Sequence, residues 1–312
     1  MKWSCACAVA AMYLLQQQSG SAVQSTFGPT DLRPVTVPAF DAEPGLRWSS
    51  SREEYDAARA DERYTFEQFT YESEGLTVGA YLYRPRTRRA SPVPVIVYNR
   101  GSYTRPTGFA GEMLVMAHRY AQAGFIVIAP HYRGSNGWQG RDEMGGADLA
   151  DLMNIVPQVA RIEGADPSRV YLSGESRGGM MVYQALRDQF PAKAAAVWGA
   201  FTDLGSLIAP GSPQAKVAPQ IWPNLEQDRD AIIERRSAIR WAHRLRTPVL
   251  IMHGTADQDM PVEHSQRMAA ELSRFGNTHR LLLFEGQQHR IGGRGADRDA
   301  AAIEWFRRFG GG

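Results

Sequence analysis

The chain has 312 residues, 43% of them hydrophobic, with 35 lysines and arginines against 33 aspartates and glutamates. That much apolar material fills a sizeable core and excludes a disordered chain. The near-neutral balance, with basic residues scattered along the chain, excludes an electrostatic footprint for nucleic acid.

In chain order, Met1-Lys2 is followed by an apolar run from Trp3 to Leu15 and then by Gln16 to Ala22. One early positive charge, an apolar stretch and a small-residue exit at Gly20-Ser21-Ala22 match a secretory signal peptide over residues 1–22. Export to the periplasm or medium is the expectation; a cytoplasmic chain with an unstructured or packed N-terminus is the alternative. The run is too short for a bilayer span, and no later segment reaches that length. Both cysteines, Cys5 and Cys7, lie within it. A structural disulfide across the fold, a cysteine nucleophile in the body and a zinc site are thereby excluded.

Residues 23–62 are rich in proline, serine and charge and read as an extension wrapping the main domain. It contains one short helix, Ser51 to Ala60, with Ser51 as cap and Glu53 and Glu54 in the first turn. The main domain covers residues 63–312. It opens on two alternating runs flanking the turn Glu74-Gly75, an antiparallel pair. Arg84, Arg86 and Arg88-Arg89 then read as a solvated loop. Short continuous apolar runs follow at Pro94–Tyr98, Phe125–Ala129, Val170–Ser173, Ala194–Trp198, Pro248–Met252 and Leu281–Phe284. Continuous hydrophobicity fits strands buried on both faces. Helical spacing lies between them: Ala110 to Tyr120 with Gly124 as stop, Leu149 to Val159 with a bend at Pro157, Val262 to Phe275, and Ile303 to Phe309. The alternation predicts an α/β fold with a mostly parallel central sheet and helices on both faces. Residues 201–241, with Pro210, Gly211, Pro213, Pro219, Pro223 and Trp222, interrupt the rhythm as a small lid or an irregular surface excursion.

The chemistry centres on Gly174-Glu175-Ser176-Arg177-Gly178-Gly179, placed between a strand and a helical stretch. A G-x-S-x-G sequence in that context turns sharply and needs minimal side chains at Gly174 and Gly178. It exposes Ser176 as a nucleophile at a helix N-terminus, where the Arg177 amide is a natural oxyanion donor. A serine hydroxyl needs a base, and the base needs an orienting acid. The α/β-hydrolase order is serine, acid, histidine, each after a strand. Asp257 and His289 stand at those positions, after the runs ending at Met252 and Phe284. Asp259 reads as a cap for the following helix, and His253 as a structural hydrogen-bonder. His264 and His279 sit in or beside a surface helix. No cluster has metal-ligand spacing, and no cofactor is expected.

Several stretches resemble the prolyl oligopeptidase family of serine peptidases, from about Tyr64 to the C-terminus. They are Tyr81-Leu82-Tyr83-Arg84-Pro85, the loop His131 to Trp138, the segment Gly145-Gly146-Ala147-Asp148 leading to Asp151, and His253-Gly254-Thr255-Ala256-Asp257 through Met260-Pro261-Val262 and Ser265. The resemblance implies an α/β-hydrolase fold and cleavage of small peptides through an acyl-enzyme on Ser176. It also implies a second oxyanion donor at the end of the strand Val97-Tyr98-Asn99. Tyr98 through its hydroxyl is the expected donor, with the Asn99 backbone as the alternative and a plain core role for Tyr98 as the third reading. The β-propeller of larger family members has no room here. The Gly-Glu-Ser start of the elbow also resembles carboxylesterases, although their H-G-G-G loop is absent. A carboxylesterase acting on a non-peptide ester therefore stays open, as does, more remotely, a silent relative that binds a partner. Phe201 and Trp222, from the interrupting stretch, are candidate pocket residues. Oligomeric state is not legible.

Overall fold

The computed structural model describes residues 31–87, 90–102 and 108–310. The leader read over residues 1–22, both cysteines and the pair Arg88-Arg89 lie outside them. Among the described residues no helix is long and apolar enough to cross a membrane.

The main domain begins with a hairpin. Strands β2 (Tyr64–Ser73) and β3 (Leu76–Pro85) pair antiparallel along their full length. Glu74 and Gly75 between them take φ of 50° and 78°, the two positive dihedrals that let a two-residue turn match strand twist. A two-residue strand, β1 (Arg33–Pro34), adds to the outer edge of β2. The remaining strands are β4 (Val93–Asn99), β5 (Ile126–Pro130), β6 (Ala165–Glu175), β7 (Ala195–Trp198), β8 (Val249–Gly254) and β9 (His279–Phe284). They form a nine-stranded sheet in the order β1-β2-β3-β5-β4-β6-β7-β8-β9. Strands β5, β4, β6, β7, β8 and β9 run parallel, and β3 meets β5 antiparallel. The chain leaves β4 toward β5 and leaves β6 toward β7, on the other side. The crevice between the carboxyl ends of β4 and β6 is therefore the topological switch point, where open α/β sheets place their ligands.

Alternation along the strands builds a core on each face. Val95 and Val97 point into one, with helices α5 (Arg177–Arg187) and α9 (Glu263–Arg274). Ile96 and Tyr98 point into the other, with α2 (Ala110–Gln122) and α10 (Gly295–Phe309). The expected bend at Pro157 is a break. Helix α3 (Leu149–Met153) stops, and α4 (Val156–Val159) restarts with Pro157 in its first turn, where a missing N–H costs nothing. The stretch 201–241 is helical, with α6 (Leu204–Leu207), α7 (Pro213–Ile221) and α8 (Arg229–Arg236), and it buries Leu225, Ile232, Ile233 and Trp241 in the first core.

The extension docks on the second core. Its helix α1 (Arg52–Ala60) starts with the capping box Ser51–Glu54 and buries Tyr55 and Ala58. Leu46, just ahead of it, is fully buried in the same cluster. Leu46→Ala is expected to cost about 2–5 kcal/mol in urea unfolding. A loss within error would separate the extension from the cooperative core.

Candidate active site

Ser176 occupies a backbone state that few residues tolerate, with φ 53° and ψ −119° between β6 and α5. Its surroundings leave no alternative. A Cβ on Gly174 would lie 2.5 Å from the Gly178 carbonyl oxygen, and one on Gly178 would collide with the Asn99 carbonyl at the end of β4. Gly179 faces the Ala200 side chain at 2.5 Å in the same sense. The elbow is thus pinned against two neighbouring strand ends, and the Ser176 N–H donates to Trp198 of β7 at 2.8 Å. Arg177 opens α5, where the first amides of a helix have no partner within it.

The Arg177 side chain turns inward. It donates to both oxygens of Asp142 at 2.7 Å and to Asp148 at 2.6 Å, and it lies over the Tyr132 ring at 4.4 Å. Burial opposes the charge, but Asp142 and Asp148 outweigh it and raise the Arg177 pKa. Asp148 also accepts from the Gly145 and Gly146 amides and is held below the ordinary carboxylate range, against burial, mainly by Arg177. A second buried pair serves the neighbouring loop: Arg133 grips Asp151 through its backbone N–H and its guanidinium. The family-like segments around residues 131–151 are therefore clamps beneath the elbow.

Asp257 and His289 meet as a hydrogen-bonded pair, Oδ2 to Nδ1, at 2.7 Å. The other Asp257 oxygen accepts from the amides of Asp259 and Met260 at 2.9 and 2.8 Å. Burial alone would raise the Asp257 pKa; His253, His289 and these amides push it far below the carboxylate range. For His289 burial favours the neutral ring, but Asp257, with Glu175 and Asp259, more than offsets it and raises the pKa. The imidazole sits over Gly199, where a Cβ would be 3.0 Å from its Cε1. Gly199 follows Trp198, the residue that accepts from the Ser176 amide, so serine and histidine share one strand end. No hydrogen bond joins the Ser176 hydroxyl to His289, and such contacts commonly tighten only with substrate in place.

His253 is buried and bonds Ser265 at 2.7 Å, the Met260 carbonyl at 3.0 Å and Asp257 at 3.1 Å, which stiffens the acid loop. Other expectations need correction. Asp259 caps no helix: α9 starts after Val262 without a side-chain cap, and Asp259 is exposed. His264 is buried rather than superficial, accepting from the Thr202 amide at 3.3 Å. Phe201 is 1% exposed and packs into the core beside the elbow helix. Trp222 is 4% exposed, donates to the Glu143 carbonyl at 3.0 Å and borders a separate cavity with Arg141 and Arg236. Neither lines the space beside His289, because the excursion that carries them folds into the core. Tyr98 is buried, stacks on Trp198, and donates its hydroxyl to Glu175 at 3.2 Å. The backbone against Ser176 is that of Gly101, where a Cβ would lie 3.4 Å from the serine Cβ.

Two residues escaped the sequence reading, Glu175 and Arg290. Each adjoins a candidate catalytic residue, and they face each other at 3.6 Å, with Arg290 also paired to Glu112 at 3.0 Å. Among the described residues, one trio, Asp257, Asp259 and His289, brings possible metal-ligand atoms within 4.8 Å. Two of its members are already bonded to each other.

The prolyl oligopeptidase family model matches residues 109–311. The chain belongs to the prolyl oligopeptidase family. The human acylamino-acid-releasing enzyme is 26% identical over 263 residues, covering 77% of this chain and 35% of that protein. The peptidase YtmA of Bacillus subtilis is 24% identical over 158 residues, covering 50% of this chain and 62% of the relative. The chain thus spans less than two thirds of either. A puromycin-hydrolyzing peptidase of Mycobacterium tuberculosis superposes with a TM-score of 0.67 at 25% identity, over 80% of this chain and 40% of that one. The fold is the α/β-hydrolase catalytic domain of the family, and the described residues form no β-propeller.

Breaking the clamp under the elbow is expected to be expensive. Arg177→Met leaves Asp142 and Asp148 without their main counter-charge and is predicted to cost about 3–5 kcal/mol in chemical unfolding. A cost below about 1 kcal/mol would remove the network from the list of what holds the elbow.

Proposed function

We propose that this protein is a serine peptidase that cleaves small peptides through an acyl-enzyme on Ser176. The observation that carries the reading is the Asp257–His289 pair, delivered to the strand end where Ser176 stands in its strained elbow. His289 takes the Ser176 proton as the hydroxyl oxygen attacks the substrate carbonyl. The Arg177 amide, at the positive end of α5, stabilises the oxyanion. The second donor in this reading is the backbone of the Gly101–Ser102 turn, since the Tyr98 hydroxyl is held by Glu175. His289 then gives its proton to the departing amine, and water repeats the cycle on the acyl-enzyme. Asp257 fixes the imidazole tautomer and stabilises the imidazolium. Family membership supports peptide substrates. The Gly174-Glu175-Ser176 elbow keeps esters as the second substrate class.

The reading is tested by comparing aminoacyl p-nitroanilides with short p-nitrophenyl esters, with Ser176→Ala as the blank. Anilide turnover that disappears in Ser176→Ala is the expected result. Ester turnover alone, equally dependent on Ser176, would make the protein a carboxylesterase.

The pH profile tests the acid–base pair. His289 must be neutral to accept the proton, so kcat/KM rises with pH through its pKa. The acidic limb should lie above the ordinary histidine value of 6.5, because Asp257 raises it. In Asp257→Asn that support is lost, burial dominates, and the limb should move to lower pH. The kcat should fall by roughly 10⁴ with the fold intact. A loss under about tenfold, or an unmoved limb, would remove Asp257 from this role.

A further inference from the structure

A cavity of about 970 Å³ opens beside His289. One wall is the loop after β9, from Gly286 through Arg290, with Asp259 at its edge. The other wall is the N-terminal extension, with Arg47, Trp48 and Glu54. The extension is fastened there. A Cβ on Gly292 would collide with the Trp48 carbonyl, and Arg290 donates to the Ser49 hydroxyl at 3.0 Å. Arg119 ties Glu54, at 2.5 Å, to Asp299 of α10, at 2.8 Å. On this anchored wall Trp48 stays 66% exposed, the highest value among the exposed large hydrophobic side chains described. An indole held in water by a rigid backbone, at the rim of a catalytic cavity, is a preformed platform for an apolar planar group.

The lining also says which part of a substrate this cavity faces. It takes residues from the acid and base loops. Among its described lining residues, none comes from the elbow or from the Gly101 turn. The oxyanion donors therefore stand elsewhere, and the cavity lies on the histidine side. His289 passes its proton to the departing group, so that group leaves along this side.

We propose that the cavity is the leaving-group subsite and that Trp48 makes it selective for an aromatic residue directly after the cleaved bond. The inference rests on the Ser176 acyl-enzyme reading. An exposed tryptophan on the extension, rather than a residue of the main domain, then sets specificity.

The test uses the subsite in reverse. The acyl-enzyme is formed from a p-nitrophenyl acyl ester and offered phenylalaninamide or glycinamide. The amine nitrogen attacks the acyl carbon, His289 accepts its proton and returns it to the departing Ser176 oxygen, and an amide is released. Phenylalaninamide should capture the acyl group about tenfold better than glycinamide in the native protein. Trp48→Ala should abolish that preference while hydrolysis of the acyl-enzyme by water and capture by glycinamide stay unchanged. Trp48→Phe should retain most of it. Equal loss for both amines, or no aromatic preference in the native protein, overturns the subsite. Ester turnover that survives in Ser176→Ala overturns the acyl-enzyme reading, and the subsite with it.

Discussion

The molecule depends on a backbone turn that has no room for side chains. Ser176 is held at positive φ because Gly174 and Gly178 nearly touch, and because Gly178 in turn rests on the Asn99 carbonyl of β4. Strain of this kind costs about 1–3 kcal/mol and persists only where its surroundings over-determine it. Here they are the ends of three parallel strands and the first turn of α5. One consequence is that the serine is presented at the switch point of the sheet. Another is that the same turn aims the start of α5, with its unpaired amides, at the reacting position.

Buried charge is used in two ways around this turn. Beneath it, Arg177 with Asp142 and Asp148 forms a closed group without access to solvent. Such groups add little net stability over an apolar core, but they are costly to break, and their directional bonds lock loops in one arrangement. Above it, Asp257 and His289 form a pair that changes charge during turnover in the proposed mechanism. Asp257 is kept ionised by two amides as well as by two histidines, so it can hold the imidazole without taking its proton. The first group is static because every charge has fixed partners. The second is responsive because His289 keeps a 15% exposed side chain at the edge of a cavity.

The N-terminal extension joins these parts to the outside. It is anchored by Leu46 and Tyr55 in the core below α2, and by Ser49 and Glu54 through arginines of the main domain. Its position places an exposed indole next to the histidine loop. Arg290 is the common element: it contacts the extension, α2 and Glu175, the residue before Ser176. The wall of the cavity and the alignment of the base loop are thus mechanically linked.

Local rules were enough for most of the strands, the turn at Glu74-Gly75, the capped helix from Ser51 and the elbow, because each is decided by a few adjacent residues. The placing of Ser176, Asp257 and His289 after parallel strands was legible for the same reason: each follows an apolar run, although the run before His289 becomes the part-exposed edge strand β9 rather than a strand buried on both faces. Tertiary structure alone decided the rest. Phe201 and Trp222 lie in the first core, and an interrupted, proline-rich stretch does not show in its sequence which core it will enter. The Tyr98 hydroxyl went to Glu175 because the two residues end adjacent strands, β4 and β6, a pairing set by the crossover of the sheet. Trp48 carried no periodic signal, and its place beside His289 exists only because the backbone of residue 48 packs on Gly292, far along the chain. Sequence determined which groups can react; the packing of distant segments decided what they face.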